Sequence, residues 1–213
     1  MDNVTEHRNN RNKLSNREKK AYGVFENRLE STHQMAEKPL VQVLYIEEER
    51  CELRFDHTRY VYVDIRAMQT LGAARQVLYQ LQMAGYYPII MYPEQCDVLL
   101  SNNSPFYRIA RRGGIGMVDA ASVTGAYGKR TRDIALNLLQ GSLSPLIGSS
   151  AEEAFQEDSL KNAYMEIEKW MGTQNADMIR ENRRRVENDE YIQLDQPSRS
   201  NYMKRRSSWS LLS

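Results

Sequence analysis

The sequence predicts an α+β protein: an antiparallel β-meander with helices packed on one face, a helical C-terminal part, and charged flexible N- and C-terminal tails. Three observations carry this reading. Three short β-type patterns lie between Val41 and Val63, joined by short polar turns. Apolar residues then recur at helical spacing from Met68 to Leu81. Both ends are too polar to bury enough apolar surface to offset their ordering entropy.

Val41–Ile46 is a mostly apolar run and reads as the first strand. Glu47–Arg50 is a charged turn, and Cys51–Phe55 alternates with its apolar residues at odd positions. After Asp56–Thr58, Arg59–Val63 places valines on one face and tyrosines on the other. Asp64 is positioned to cap a helix whose face holds Met68, Leu71, Ala74, Leu78 and Leu81, ending at Gly85. Tyr87–Tyr92 is the next strand. Pro88 cannot donate to a ladder, so this strand begins there or lies at an edge. Val98–Leu100 is a further short apolar run.

Ser104–Pro105 opens a short helix with Phe106, Ile109 and Ala110 on one face, stopped by Gly113–Gly114. Residues 115–130 are glycine-rich, with only Met117–Val118 strand-like. Thr131 caps a helix carrying Ile134, Ala135, Leu138 and Leu139, and Gly141 ends it. Ser150 with Glu153 forms a capping box ahead of the stripe Leu160, Ala163, Tyr164, Ile167, Trp170 and Met171. Residues 174–190 extend as a polar helix. The organisation expected is an arm over 1–38, a core over 39–141, a linker over 142–149, a helical segment over 150–190 and a basic tail over 191–213. Val43, Leu53, Phe55, Val61, Val63, Leu71, Leu78, Leu81, Ile89, Ile109, Leu138, Ile167 and Trp170 are the expected core.

The 213 residues are 41% apolar and 27% charged, a globular composition. Two cysteines, Cys51 and Cys96, exclude a disulfide framework and a multi-cysteine zinc site. No apolar run is long enough to span a membrane and the N-terminus is polar, so an intracellular location is expected. The net charge is +1, but divided at 38, 150 and 177 it becomes +2, +1, −5 and +3. Residues 108–132 hold six cations against Asp119 alone.

Catalytic patterns are sparse. No G-x-S-x-G elbow exists, and Cys51 shares the alternating face of Leu53 and Phe55, as a core residue would. Asp64, Glu94, Asp97 and Asp119 all fall near strand ends, where carboxylates hold Mg²⁺ in nucleases or, more plainly, cap helices and make turns. Gly125–Thr131 precedes a helix but departs from the P-loop pattern, with Val123 in place of the first glycine and Arg130 in place of Ser or Thr. No catalytic residue, metal ligand or cofactor is expected from these patterns.

The basic cluster is the most specific signal. Arg108, Arg111, Arg112, Lys129, Arg130 and Arg132, with Tyr107 and Tyr127 to stack on bases, suit sequence-independent binding of a phosphate backbone. The expectation is therefore a non-enzymatic, self-assembling nucleic-acid-binding protein of the nucleocapsid or packaging type, from a virus or mobile element, forming homo-oligomers. The alternative is a membrane-peripheral or protein–protein scaffold. It would act through the C-terminal helix and a tail in which Lys204, Arg205, Arg206 and Trp209 make the contacts. The acidic segment 151–171 would meet the basic cluster of a neighbouring subunit or of its own chain.

Overall fold

The computed structural model describes residues 42–46, 51–55, 58–66, 70–100, 105–151, 155–192, 194 and 196–197; the side chains of 42–46 and 51–55 lie outside the description. One six-stranded sheet runs in chain order β1-β2-β3-β4-β5-β6. β1 (Gln42–Ile46), β2 (Cys51–Phe55) and β3 (Tyr60–Asp64) pair antiparallel, with Leu44 opposite Leu53 and Leu53 opposite Val63. β3, β4 (Tyr87–Met91), β5 (Ile115–Asp119) and β6 (Leu146–Gly148) are all parallel.

This corrects the fold class. The protein is α/β: β3–β6 form a four-stranded parallel sheet with helical crossovers, and the antiparallel meander of β1–β3 is only its edge, not its architecture. Parallel neighbours need a crossover connection, and the helices supply it. α1 (Leu71–Met83) joins β3 to β4. After a 3₁₀ turn at Pro93–Gln95, α2 (Asp97–Leu100) and α3 (Pro105–Ala110) join β4 to β5. α4 (Ala120–Thr124) and α5 (Lys129–Gln140) join β5 to β6. α6 (Gln156–Met171) and α7 (Thr173–Glu187) follow.

Several local expectations shift. Thr70, not Asp64, caps α1, its hydroxyl accepting from the Ala73 N–H at 3.2 Å. Gly128, at φ 88°, rather than Thr131, precedes α5. α6 starts at Gln156 behind Phe155, not at a Ser150 box. The segment 142–149 contains β6, so the stretch read as a linker is a strand of the sheet. Pro88 lies in an interior strand opposite Val61, near its beginning rather than at an edge. The N-terminal arm, and the tail beyond residue 197, lie outside the described residues, as do the side chains of Val43, Leu53 and Phe55.

Both faces of the sheet are covered, which is why β4 and β5 are buried along nearly their whole length and show no polar alternation. Val61, Val63, Ile90, Val118 and Ile147 meet Leu78 and Leu81 of α1, Phe106 of α3, Leu138 of α5 and Ile167 of α6 on one face. Tyr60, Ile89, Met91, Ile115, Met117 and Leu146 point the other way, against Val186 of α7 and Ile192. Trp170 is 44% exposed and lies outside the core, and Leu71 is only partly buried. The acidic helix meets its own chain: α6 packs on α4 and α7. Glu166 accepts from Arg132 at 2.9 Å, and Glu168 from Arg180 at 2.6 Å.

The second face is closed by a short latch. Arg59 grips Asp189 through its backbone N–H at 2.8 Å and its Nε at 3.0 Å. The buried Tyr60 hydroxyl donates to the Glu190 carbonyl at 2.8 Å and accepts from the Ile192 N–H at 3.2 Å. Tyr60→Phe strands both backbone groups and is expected to lower stability by roughly 1–3 kcal/mol, read from urea unfolding midpoints.

Candidate functional site

Open parallel sheets bind ligands outside the carboxyl ends of their strands, because loops and helix N-termini converge there. In this chain all four parallel strands deliver polar side chains to that end. β3 ends at Asp64, followed by Arg66. β4 leads through Tyr92, held at φ 53°, into Glu94 and Gln95. β5 ends at Asp119, which also caps α4 by accepting from the Ala121 N–H at 3.1 Å. β6 leads to Ser149 and Ser150.

These groups form one hydrogen-bonded strip. Arg66 donates to Asp64 through Nε at 3.0 Å and through a terminal nitrogen at 2.6 Å. Its other terminal nitrogen donates to Gln95 Oε1 at 3.1 Å. The Gln95 amide donates to Asp119 Oδ2 at 3.2 Å and to Ser122 Oγ at 3.3 Å. The Ser150 hydroxyl donates to Asp119 Oδ2 at 2.5 Å, and its backbone N–H to Oδ1 at 3.3 Å. Tyr127 closes the strip, its hydroxyl 3.3 Å from Ser150 Oγ.

Glu94 lies beneath the strip, 3% exposed. Its Oε1 accepts from the Asp119 N–H at 2.8 Å, while its Oε2 has no hydrogen-bond partner among the described residues. Burial pushes its carboxyl up to about 7, against the smaller opposing pull of the Asp119 N–H and the Ser122 hydroxyl. The guanidinium of Arg66 is held further into its charged form by its bonds to Asp64, and it lies 5.2 Å from the centroid of the Tyr92 ring. Tyr92 also lines a cleft of about 250 Å³ with Tyr62, Met91, Met117, Ser149 and Arg183.

Sequence reasoning brought Asp64, Glu94 and Asp119 to strand ends, and the structure unites them. Asp97 is elsewhere, in α2, 96% exposed and 4.0 Å from Arg130. Arg66, Gln95 and Ser150 were missed as site residues. The signal available was their position two to four residues past a strand end.

The basic cluster is divided. Arg108, Arg111 and Arg112 lie at the end of α3 and just beyond, all exposed. Arg108 and Arg112 face α1 across a separate cleft. Lys129 pairs with Asp133 at 3.0 Å. Arg132 pairs with Glu166 and also donates to the Val123 carbonyl at 3.2 Å. Tyr107 packs against the core, and of the two tyrosines only Tyr127 reaches the strip. Lys204, Arg205, Arg206 and Trp209 lie outside the described residues. No helix among the described residues is long and apolar enough to cross a membrane.

Comparison with known proteins gives this site a context. Residues 7–187 match the family model described as Capsular polysaccharide synthesis, CpsB/CapC. The tyrosine-protein phosphatase YwqE of Bacillus subtilis is 26% identical over 131 residues, covering 61% of this chain and 52% of that protein. The putative tyrosine-protein phosphatase CapC of Staphylococcus aureus is 25% identical over 126 residues, covering 54% and 49%. The chain thus spans about half the length of these curated relatives. Among solved structures, one from a study of YwqE from Bacillus subtilis and CpsB from Streptococcus pneumoniae aligns with a TM-score of 0.57 at 23% identity. It covers 67% of this chain and 58% of its own. That study describes those two proteins as metal-dependent tyrosine phosphatases.

These matches overturn the expectation of a non-enzymatic nucleic-acid-binding structural protein of a virus or mobile element, with nucleic acid as its partner. The scaffold alternative falls with it. The error had a physical origin: six cations were counted as one surface field, when Lys129 and Arg132 are paired within the chain with Asp133 and Glu166.

The strand-end residues do not fit a divalent metal. Metal-binding carboxylates must be ionised and have lone pairs to give. Asp119 already accepts four hydrogen bonds. Asp64 is gripped by Arg66, and burial pushes the Glu94 carboxyl up to about 7, which disfavours the ionised form a metal needs. Among the described residues no three His, Cys, Asp or Glu side chains are grouped to hold a metal ion.

Proposed function

Because the chain belongs to the CpsB/CapC family of capsular polysaccharide synthesis, we propose that it is a tyrosine-protein phosphatase working on tyrosine-phosphorylated protein in that process. The observation that carries this reading is the convergence of all four parallel strand ends on one polar strip beside an aromatic cleft. Tyr62 and Tyr92 offer ring faces, and Met91 and Met117 offer polarisable apolar surface, suited to a tyrosyl ring. The Arg66 guanidinium next to Tyr92 offers planar N–H donors that match phosphoryl oxygens.

The division of labour follows from the geometry. Asp64 and Gln95 hold the guanidinium in place. Asp119 fixes the Ser150 and Gln95 side chains, and Glu94 holds the backbone of Asp119. The test uses the full chain with two peptides that differ only in phosphotyrosine against phosphoserine. Phosphate release from the phosphotyrosyl peptide is expected to exceed release from the other by at least about ten-fold, and Arg66→Ala is expected to reduce it by a similar factor. No release from the phosphotyrosyl peptide overturns the proposal.

A further inference from the structure

The solved relatives are described as metal-dependent, yet the described strand-end residues of this chain are bonded to one another, with only the buried Glu94 Oε2 left open, and are not grouped to hold a metal ion. The hydrogen bonds have the wrong sense for a metal. Around Asp119 the Gln95 amide, the Ser150 hydroxyl and two backbone N–H groups all point protons inward. A divalent ion at that carboxylate would have to displace these donors, two of which belong to the backbone. Across the strip, a positive charge already stands against Asp64: the guanidinium of Arg66, 2.6 Å from Oδ2. It donates three of its N–H groups, to Asp64 and Gln95, so two of five have no partner among the described residues.

We propose that Arg66 takes the place of a divalent cation in this chain: its guanidinium, fixed by Asp64 and Gln95 over Tyr92, is the positive charge that meets the phosphoryl group, and the strand-end carboxylates hold no metal. This inference rests on the phosphotyrosine reading for its ligand, but its metal arm stands independently. A guanidinium can do this work because it presents fixed, planar donors to phosphoryl oxygens and stays charged at every relevant pH. Asp64 does not cancel it, since the pair is partly open to solvent and the remaining N–H groups are directed by the same clamp.

The test has two arms on the full-length chain. In the first, Mn²⁺ alone is titrated by calorimetry into the wild type, Asp64→Asn and Asp119→Asn, with circular dichroism to confirm that each is folded. The expected result is no Mn²⁺ uptake, or uptake that both folded variants retain. Uptake lost in either folded variant overturns the inference. Should Asp119→Asn fail to fold, Asp64→Asn decides, since that side chain is only partly buried. In the second arm, phosphotyrosyl-peptide affinity is measured with and without EDTA. Unchanged affinity in EDTA, with at least a ten-fold loss in Arg66→Ala and none in Arg108→Ala, is expected. Loss in EDTA overturns the inference. A peptide that neither binds nor turns over overturns the phosphotyrosine reading and the phosphoryl role of Arg66 together, while the Mn²⁺ arm still decides whether the carboxylates hold metal.

Discussion

Glu94→Gln is expected to flatten the dependence of stability on pH. Burial raises the Glu94 carboxyl to about 7 in the folded protein, against 4.5 for an ordinary glutamate. Its folded value is raised, so the stability conferred by the neutral form is fully present below pH 4.5 and declines as pH climbs through 7. Above that window the wild type carries a buried charge with one oxygen unpartnered among the described residues. The difference of 2.5 units corresponds to roughly 3 kcal/mol. Glutamine keeps the shape and the acceptor for the Asp119 N–H, and its amide lies beside the Ser122 hydroxyl. The two proteins should therefore unfold at similar denaturant concentrations near pH 4.5, with the variant the more stable above pH 8. Parallel stability curves across that range would show that Glu94 is charged in both states and would remove the neutral-carboxyl account of the site.

Gly116→Ala is expected to abolish folding or cost more than about 3 kcal/mol. Gly116 lies in the middle of β5, with α3 and the 143–144 turn pressed against it. A Cβ there would collide with Ser144 Oγ, approach Phe106 Cζ to 2.7 Å and approach the Leu143 carbonyl oxygen to 2.8 Å. Two of these are a packed ring and a backbone atom, which cannot move without displacing the neighbouring chain. Gly72→Ala is the contrast. It lies in the first turn of α1, where the nearest atom is 3.8 Å away. Removing a glycine from an open helical position stabilises by up to about 1 kcal/mol. Thermal unfolding of the pair reads both results, and a well-folded Gly116→Ala would mean that α3 and β5 do not pack as described.

Much of the local structure was legible. The alternation of 51–55 and the valine–tyrosine alternation of 59–63 mark strands, and the three-to-four spacing from Leu71 to Leu81 marks a helix, because local side-chain geometry sets both periods. The strands that carry the site were the harder ones. Ile115–Asp119 is buried throughout and contains a glycine, so it has no alternation to detect. Leu146–Gly148 is three residues in a Gly, Ser and Pro setting. Strand–helix–strand order from 60 to 91 was available as a sign of parallel pairing, and the short turns before it drew the reading towards a meander.

The site divides in the same way. That Asp64, Glu94 and Asp119 stand near strand ends follows from where apolar runs stop, and the sequence alone determined it. It also determined the strand and helix periods and the surplus of arginine in 108–132. Only the tertiary structure decided that β3 to β6 run parallel, and parallel pairing is what brings residues 64, 94, 119 and 150 to one end of the sheet. It decided too that Arg132 faces Glu166 and that Arg66 grips Asp64. The physical reason is that periodicity records which face of its own element a residue occupies. Which charge answers which depends on the direction and order of strands, set by contacts between residues far apart in the chain.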